Sequence, residues 1–314
     1  MKELVIYIDS CYINSNKENI QDTVHSINKN IGITDYSYYI LVQDEETKDL
    51  YESLLGTKIF QIKILEKDTW WANNFNMFVD DCKLHFKRLM MTHDDLTIDT
   101  PNFYKIYLNE IKDIPAEELG FVGFSNVHYN KIGNLTSNSM REGIAKDRLH
   151  SSYGNCRIYE CHTGDINNLA WPKETSVVWA VFHMLSIISF ENILKIHPLT
   201  PLCNWGALAD EDCNLEAMLA GMDNLWIPHI EYTHPLRRKP GYGGPHRAHE
   251  LLKKNFSKKW GVSWAIDNYT DQDIKVLLDK YPNTRIQKFA NRHTYEYISA
   301  KEYYKNGGHK GWQH

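Results

Sequence analysis

The segment MMTHDDLTIDTPNFYKIYL, residues 90–108, decides the fold class. A short apolar run, Leu89–Met91, is cut off by Thr92-His93-Asp94-Asp95. Pro101 then follows Thr100 at the expected first position of a helix that contains Phe103, Ile106 and Ile111. A buried strand that ends in polar residues and hands over to a helix is the building unit of an open α/β sheet. Ligands of such sheets occupy the crevice outside the carboxyl ends of the strands, so His93, Asp94 and Asp95 stand where a ligand is held.

The same unit recurs on both sides. Leu4–Ile8 reads as a buried strand, and Ile20, Val24 and Ile27 recur at the spacing of one helix face. A strand at Tyr39–Val42 precedes a charged helix through Leu50 and Leu54. Ile59–Ile64 is a third strand, and an amphipathic segment from Asn74 leads back to Leu89–Met91. Downstream, Phe121–Phe124 is a fifth strand. This alternation predicts right-handed crossovers and a mainly parallel sheet covered by helices on both faces. From Val127 to Lys173 the periodicity gives way to Asn, Ser, Gly and Lys, the mark of a functional loop or an inserted subdomain. Order returns at Val177–Phe190, then a helix over Asp210–Leu219 and a strand at Leu225–Ile227. The chain closes on helices near His246–Phe256, Asp271–Tyr281 and Thr294–Tyr304.

Of the 314 residues, 42% are apolar and 24% charged, the balance of a soluble globular protein, which excludes a mostly disordered chain. A net charge of −5 speaks against nucleic-acid binding through overall charge. The charge is unevenly spread: from Leu236 onward 16 Lys and Arg face 7 Asp and Glu, a balance of +9, and the part before it carries −14. The longest apolar stretch, Val177–Phe190, is interrupted by His183 and two Ser and falls short of the ~20 residues that span a bilayer. The opening MKELVIYID has no signal-peptide pattern. Cys11, Cys82, Cys156, Cys161, Cys203 and Cys213 show no disulfide-framework spacing, so reduced thiols and a cytoplasmic location are expected.

Three sites carry the chemistry. His93-Asp94-Asp95 reads either as the cap of a turn or as oxygen and nitrogen donors for Mg²⁺ or Mn²⁺ carrying a phosphate. Asp210-Glu211-Asp212 either complements the dipole of the helix it opens or holds a carboxylate base at a cleft. His234, in Tyr232-Thr233-His234-Pro235, follows a predicted strand and is structural or a ligand. After it comes a basic glycine-rich loop, Arg237-Arg238-Lys239-Pro240-Gly241-Tyr242-Gly243-Gly244-Pro245, which reads either as a solvated linker or as a loop whose cations close over an anionic ligand.

In order and spacing these blocks resemble the GT-A fold glycosyltransferases of family 2. The opening strand and the helix NIQDTVHSI (19–27), Leu41-Val42-Gln43-Asp44, residues 90–108, LADEDCNLEAMLAGMDNLWIPHIEYTHP (208–235) and Asn255-Phe256-Ser257-Lys258-Lys259-Trp260-Gly261 carry the resemblance. It implies a GT-A catalytic domain over 1–235, with a nucleotide-binding half over about 1–125 and an acceptor half over about 126–235. Residues 236–314 are then the basic loop and a helical extension. The metal-binding DXD tripeptide of the family falls on His93-Asp94-Asp95, with His in place of the first Asp.

The resemblance further implies that Asp95 and His234 bind Mn²⁺ or Mg²⁺, and that Asp44, His93, Asp94, Arg237 and Arg238 bind the donor. Asp212 would be the general base, Glu211 would bind the acceptor or orient the base, and Trp205 would be a platform for an acceptor sugar. Asn73–Asp81 departs from the Gly-rich segment of relatives; Asn74, Asn76 and Met77 stand there instead. The implied activity is inverting transfer from a nucleotide-sugar, a UDP-sugar first, to a hydroxyl of a saccharide or lipid-linked saccharide acceptor. No nucleic-acid partner is expected. A peripheral membrane contact would use the basic tail with Tyr303, Tyr304 and Trp312. The competing expectation is a non-catalytic nucleotide- or carbohydrate-binding protein on the same fold, which His93 in place of Asp permits.

Overall fold

Along β1 (Lys2–Asp9), alternation sends Leu4, Ile6 and Ile8 to one face of a sheet and Val5 and Tyr7 to the other, and all five are buried. A strand covered on both faces has to be apolar at every position, which is why the run reads as continuous. The computed structural model describes residues 1–10, 17–65, 71–126, 156–157, 174–178, 180–181, 183, 185–202, 209–233, 246–262, 276–277, 279–282, 284–285 and 298–308.

After β1 come α1 (Lys17–Asn30), β2 (Tyr36–Val42), α2 (Glu45–Leu55), β3 (Ile59–Ile64), α3 (Trp71–Cys82), β4 (Phe86–Thr92), β5 (Thr97–Ile98), α4 (Phe103–Ile111) and β6 (Leu119–Asn126). Short strands β7 (Cys156–Arg157), β8 (Ser176–Val178) and β9 (Ala180–Val181) precede β10 (Leu185–Ser189) and the one-turn α5 (Phe190–Ile193). Next are α6 (Ala209–Leu219), β11 (Asp223–Thr233), α7 (His246–Trp260), β12 (Ile298–Ser299) and α8 (Ala300–Lys305).

The main sheet has the order β12-β8-β11-β6-β10-β4-β1-β2-β3, with β5 paired to β11 and β7 and β9 forming a separate ribbon. The block β4-β1-β2-β3 is parallel, Ile8 lying opposite both Ile40 and Thr92. There the helical crossovers set the hand and direction, as the alternating pattern requires. The sheet becomes mixed at β10, antiparallel to β4 on one side and to β6 on the other. That strand enters after the segment that begins at Val127, whose sequence shows no strand–helix alternation from which a direction could be read. β11 is parallel to β6, and β8 and β12 add antiparallel edges.

Two apolar layers cover the sheet. On one face Val24, Ile27, Tyr51, Tyr104 and Phe103 pack on Ile6, Ile8, Ile40 and Met90. On the other, Phe75, Phe78 and Phe190 pack on Tyr7, Tyr39, Leu89 and Met91. Tyr7 lies 4.5 Å from Phe78 and 5.8 Å from Phe75 between ring centroids. The C-terminal region is part of the first layer: Phe256, Trp260, Leu277, Ala300 and Tyr303 are buried in it. Cys82 and Cys213 are buried and form no disulfide. Among the described residues no helix is long and apolar enough to cross a membrane.

Three local expectations change. Helix α4 begins at Phe103 rather than Pro101, with Asn102 as its N-cap in the left-handed region at φ 56°. Gly32 explains part of this: a Cβ there would meet the Asn102 Cα at 2.8 Å, and its own φ is +77°. The last expected helix, Thr294–Tyr304, instead contains β12, because the edge of β8 is completed by Ile298 opposite Val177 and Ser299 opposite Ser176. Ser299 then caps α8. Of the tyrosines expected at a membrane contact, Tyr303 is fully buried and Tyr304 partly so, and both hydroxyls donate to Asp223 at 3.2 Å. Trp312 lies outside the described residues.

Candidate active site

The register brings the carboxyl ends of β1, β2 and β4 to one edge of the sheet. Asp9 lies opposite Leu41, and Ile8 opposite Thr92. Ser10, Asp44 and His93 therefore leave the sheet side by side. On the far side of β4, Leu185 is opposite Thr92, which sets His183 beside the same edge. This is the crevice that the strand-then-polar pattern predicts.

Asp94 is fully buried, and His93 and Asp95 are partly exposed, with His93 Nδ1 3.9 Å from Asp95 Oδ1. Asp94 acts on Tyr51, whose phenol is held well above its usual range by burial first and by the Asp94 charge second; the Tyr51 hydroxyl shares a 2.8 Å hydrogen bond with Ser10. His183 is buried, its ring tilted against Phe121 at 4.3 Å between centroids, and burial with the nearby His93 pushes its imidazole down to about 3. It is neutral at pH 7. The sequence signal for His183 was its interruption of the apolar run 177–190, which carries no motif.

Asp95 and His93 offer an oxygen and a nitrogen donor on one partly exposed turn, a donor set that suits Mn²⁺ or Mg²⁺. Among the described residues no group of three His, Cys, Asp or Glu is placed to hold a metal ion. The third expected ligand, His234, lies outside the described residues. The strand before it ends at Thr233, paired with Thr97, two residues beyond Asp95.

Asp44 is exposed and caps α2: its Oδ1 accepts from Thr47 N at 2.7 Å. Asn76, in the segment that departs from relatives, exchanges two hydrogen bonds with the Leu199 backbone at 2.8 and 2.9 Å, a structural role. Trp71 stacks on Phe75 at 5.1 Å. Trp205, Arg237 and Arg238 lie outside the described residues, as do the side chains of Asp210 and Glu211.

Helix α6 carries the acidic triplet in its first turn. A short turn, Ala220–Met222, joins it to β11, so the helix runs back along the strand and its first turn points toward the edge where β6 and β11 end. Asn214 fixes it there, accepting from Val181 N at 3.1 Å and donating to Val181 O at 2.8 Å. Asp212 is only 3% exposed. Its Oδ1 accepts from the Trp260 indole N–H at 2.8 Å, and its two oxygens lie 2.7 and 2.9 Å from Lys259 Nζ. Lys259 also pairs with Glu216 at 2.6 Å. Burial pushes the Asp212 carboxyl above its ordinary range, and Lys259 and Trp260 pull it part of the way back. These partners belong to the Asn255–Gly261 segment.

No protein-family model and no curated protein sequence matches the chain. Solved structures do. The chain is similar to GalNAc-T7 with UDP, GalNAc and Mn²⁺, at a TM-score of 0.53 and 13% identity, covering 99% of this chain and 55% of that one. It is similar to the mannosyltransferase PcManGT from Pyrobaculum calidifontis in complex with GDP-Man and Mn²⁺, at 0.51 and 11%, covering 92% and 74%. S. aureus TarS in complex with UDP-GlcNAc gives 0.53 and 10%, covering 88% and 71%. The chain thus spans about half the length of GalNAc-T7 and has the GT-A glycosyltransferase fold.

Proposed function

We propose that the chain is an inverting, metal-dependent glycosyltransferase that moves a sugar from a nucleotide-sugar, a UDP-sugar first, to an acceptor hydroxyl. The observation that carries this reading is the gathering of Asp9, His93, Asp94, Asp95 and His183 at one edge of a GT-A sheet. Mn²⁺ in two of the similar structures supports a divalent ion as cofactor. Asp95, with His234 and with His93 at hand, would hold it, and the ion would supply Lewis-acid stabilisation of the diphosphate leaving group. Arg237 and Arg238 would face the same phosphates, and Asp44 the nucleoside base. Trp205 would present a ring to the apolar face of the acceptor sugar.

A carboxylate of the Asp210-Glu211-Asp212 turn takes the proton of the acceptor hydroxyl as that oxygen attacks the anomeric carbon and the diphosphate leaves, in one displacement with inversion. The resemblance assigns this to Asp212, and a carboxyl raised by burial has the character of a base tuned toward neutrality. Lys259 and Trp260 take three of its roughly four acceptor sites, which leaves one on Oδ2 for the acceptor proton. Glu211 and Asp210 open the same helix and share the assignment.

The test is a panel of UDP- and GDP-sugars with Mn²⁺, reading nucleotide release with and without saccharide acceptors, alongside Asp210→Asn, Glu211→Gln and Asp212→Asn. One donor should be turned over, and one of the three variants should lose about a thousand-fold in transfer with donor binding kept. UDP binding without turnover of any donor gives the non-catalytic reading instead, and a product of retained anomeric configuration overturns the single displacement.

A further inference from the structure

Helix α1 buries two hydroxyls, those of Thr23 and Ser26, beside its apolar stripe of Ile20, Val24 and Ile27. A buried hydroxyl is unfavourable unless it is bonded, and both of these go to the backbone that leaves the His93-Asp94-Asp95 turn. Thr23 Oγ1 donates to Leu96 O at 2.7 Å and accepts from Leu96 N at 3.1 Å, so it holds both backbone groups of the residue after Asp95. Ser26 Oγ accepts from Ile98 N at 3.1 Å and donates to Thr23 O at 2.9 Å. One turn further on, Asn30 Nδ2 donates to Ile98 O at 2.7 Å. Backbone groups of strand residues two apart leave on the same side. Helix α1 therefore meets Leu96 and Ile98 as a neighbouring strand would. The spacing fits as well. Two strand residues advance about 7 Å, between the rise of about 4.5 Å from Thr23 to Ser26 and about 10 Å from Thr23 to Asn30. A helical side chain leans toward the helix N-terminus, which brings Asn30 back to Ile98.

The opposite edge of the same segment belongs to β11, with Thr97 opposite Thr233 and Ile98 opposite Tyr232. Asp99 N adds a bond to Glu231 O at 2.9 Å. His93, Asp94 and Asp95 thus bridge two fixed points: Thr92, paired within the sheet, and Leu96, where the α1 contacts begin. From this geometry we infer that Thr23, Ser26 and Asn30 are positioning residues. They form a splint that sets the stance of the His93–Asp95 turn, and with it the donor atoms that the turn offers to a divalent ion. The ion-binding half of this inference rests on the glycosyltransferase reading; the stance of the turn does not.

The experiment compares Thr23→Val, Thr23→Ser and Asn30→Ala with the wild-type chain. It reads the backbone amide chemical shifts of residues 93–95, the urea midpoint, and calorimetric titration with UDP and Mn²⁺. Valine keeps the shape of threonine without the hydroxyl, and serine keeps the hydroxyl. Thr23→Val is expected to move the amides of His93, Asp94 and Asp95. It should also weaken Mn²⁺-dependent UDP binding by about ten-fold to a hundred-fold per folded molecule, the scale for groups that orient metal ligands. Thr23→Ser should bring both readings back near wild type. Asn30→Ala removes one partly exposed bond and should act in the same direction by less; it carries the test if Thr23→Val does not fold. Amides of 93–95 that stay at their wild-type positions in the folded variants overturn the splint. Moved amides with wild-type affinity leave these side chains a folding task and overturn the positioning role. An equal loss of affinity in Thr23→Ser does the same, because the hydroxyl is then not what matters. If the wild type binds no UDP with Mn²⁺, the glycosyltransferase reading fails, and the amide shifts still decide whether α1 sets the turn.

Discussion

The two edges of the sheet treat charge in opposite ways. At the amino-terminal edge of the parallel strands and of β6 and β11, acids meet bases in closed sets. Glu3 pairs with Arg88, with Lys87 at 3.1 Å and with the Tyr104 hydroxyl at 3.0 Å. Asp223, fully buried, takes Arg285 at 3.1 Å and two tyrosine hydroxyls, and Arg285 turns its other nitrogen to Glu118 at 2.6 Å. The carboxyl edge gathers Asp9, Asp94 and Asp95 with the imidazoles of His93 and His183. The first arrangement neutralises itself and serves folding. The second concentrates negative charge and nitrogen donors at the mouth of a crevice, where a divalent cation would offset the carboxylates.

The sharpest break between the edges is expected at Arg285. Arg285→Met leaves Asp223 buried without its cation, which costs about 3–5 kcal/mol and lowers Tm by about 10 °C. Urea unfolding reads the loss, and the folded fraction should transfer sugar at the wild-type kcat. Loss of activity beyond loss of folded protein would erase the distinction between a folding edge and a chemical edge.

At the other edge the signs reverse. Asp95→Asn should lower Mn²⁺-dependent UDP binding by about a hundred-fold, while Tm stays level or rises because one of the crowded carboxylates is gone. Calorimetry with and without Mn²⁺ checks both halves. A large drop in Tm without a change in binding would make Asp95 structural.

What was legible follows the same line. The parallel block could be read strand by strand, and Ile59–Ile64 matches β3 residue for residue, because each strand there is followed by a helix with its own periodicity. The direction of β10 could not be read, since an isolated apolar run such as Leu185–Ser189 carries no information about which neighbour it joins. Nor could β12, two residues long, which exists only because β8 offers it an edge. In the site, His93-Asp94-Asp95 was legible from its place after a strand. The partners of Asp212 were not, because Lys259 and Trp260 lie 47 and 48 residues away and nothing local links them. His183 shows the same limit: its neighbour His93 is brought near only by the antiparallel register.

His183 gives the edge comparison a pH axis. Its imidazole titrates at about 3 in the folded chain against about 6.5 unfolded, so between these values the unfolded state binds the extra proton. Stability is then fully present above about pH 6.5 and falls with acidification toward 3, by at most about 1.4 kcal/mol per pH unit from this group. His183→Phe keeps a ring against Phe121 and removes the titration. The slope of stability against pH between 6 and 4 should flatten by about one proton. An unchanged slope would mean that His183 is not the neutral, buried group that its surroundings make it.

The smallest effect decides the role of Asp44, which stands at the chemical edge but does a folding task. Its side chain caps α2, and Asp44→Ala should cost about 1 kcal/mol of stability for the lost acceptor. Serine is as good a cap, so Asp44→Ser should recover that stability almost completely. The two substitutions separate capping from recognition. If the carboxylate also reads the nucleoside base, Asp44→Ser binds UDP several-fold more weakly than wild type at equal Tm, because a hydroxyl cannot supply the charged acceptor that a base N–H meets. If capping is the whole role, Asp44→Ser matches wild type in both measurements. Equal weakening of UDP binding in the Ala and Ser variants, with stability lost only in Ala, would place Asp44 on both edges of the comparison at once: one oxygen for the helix and its charge for the ligand.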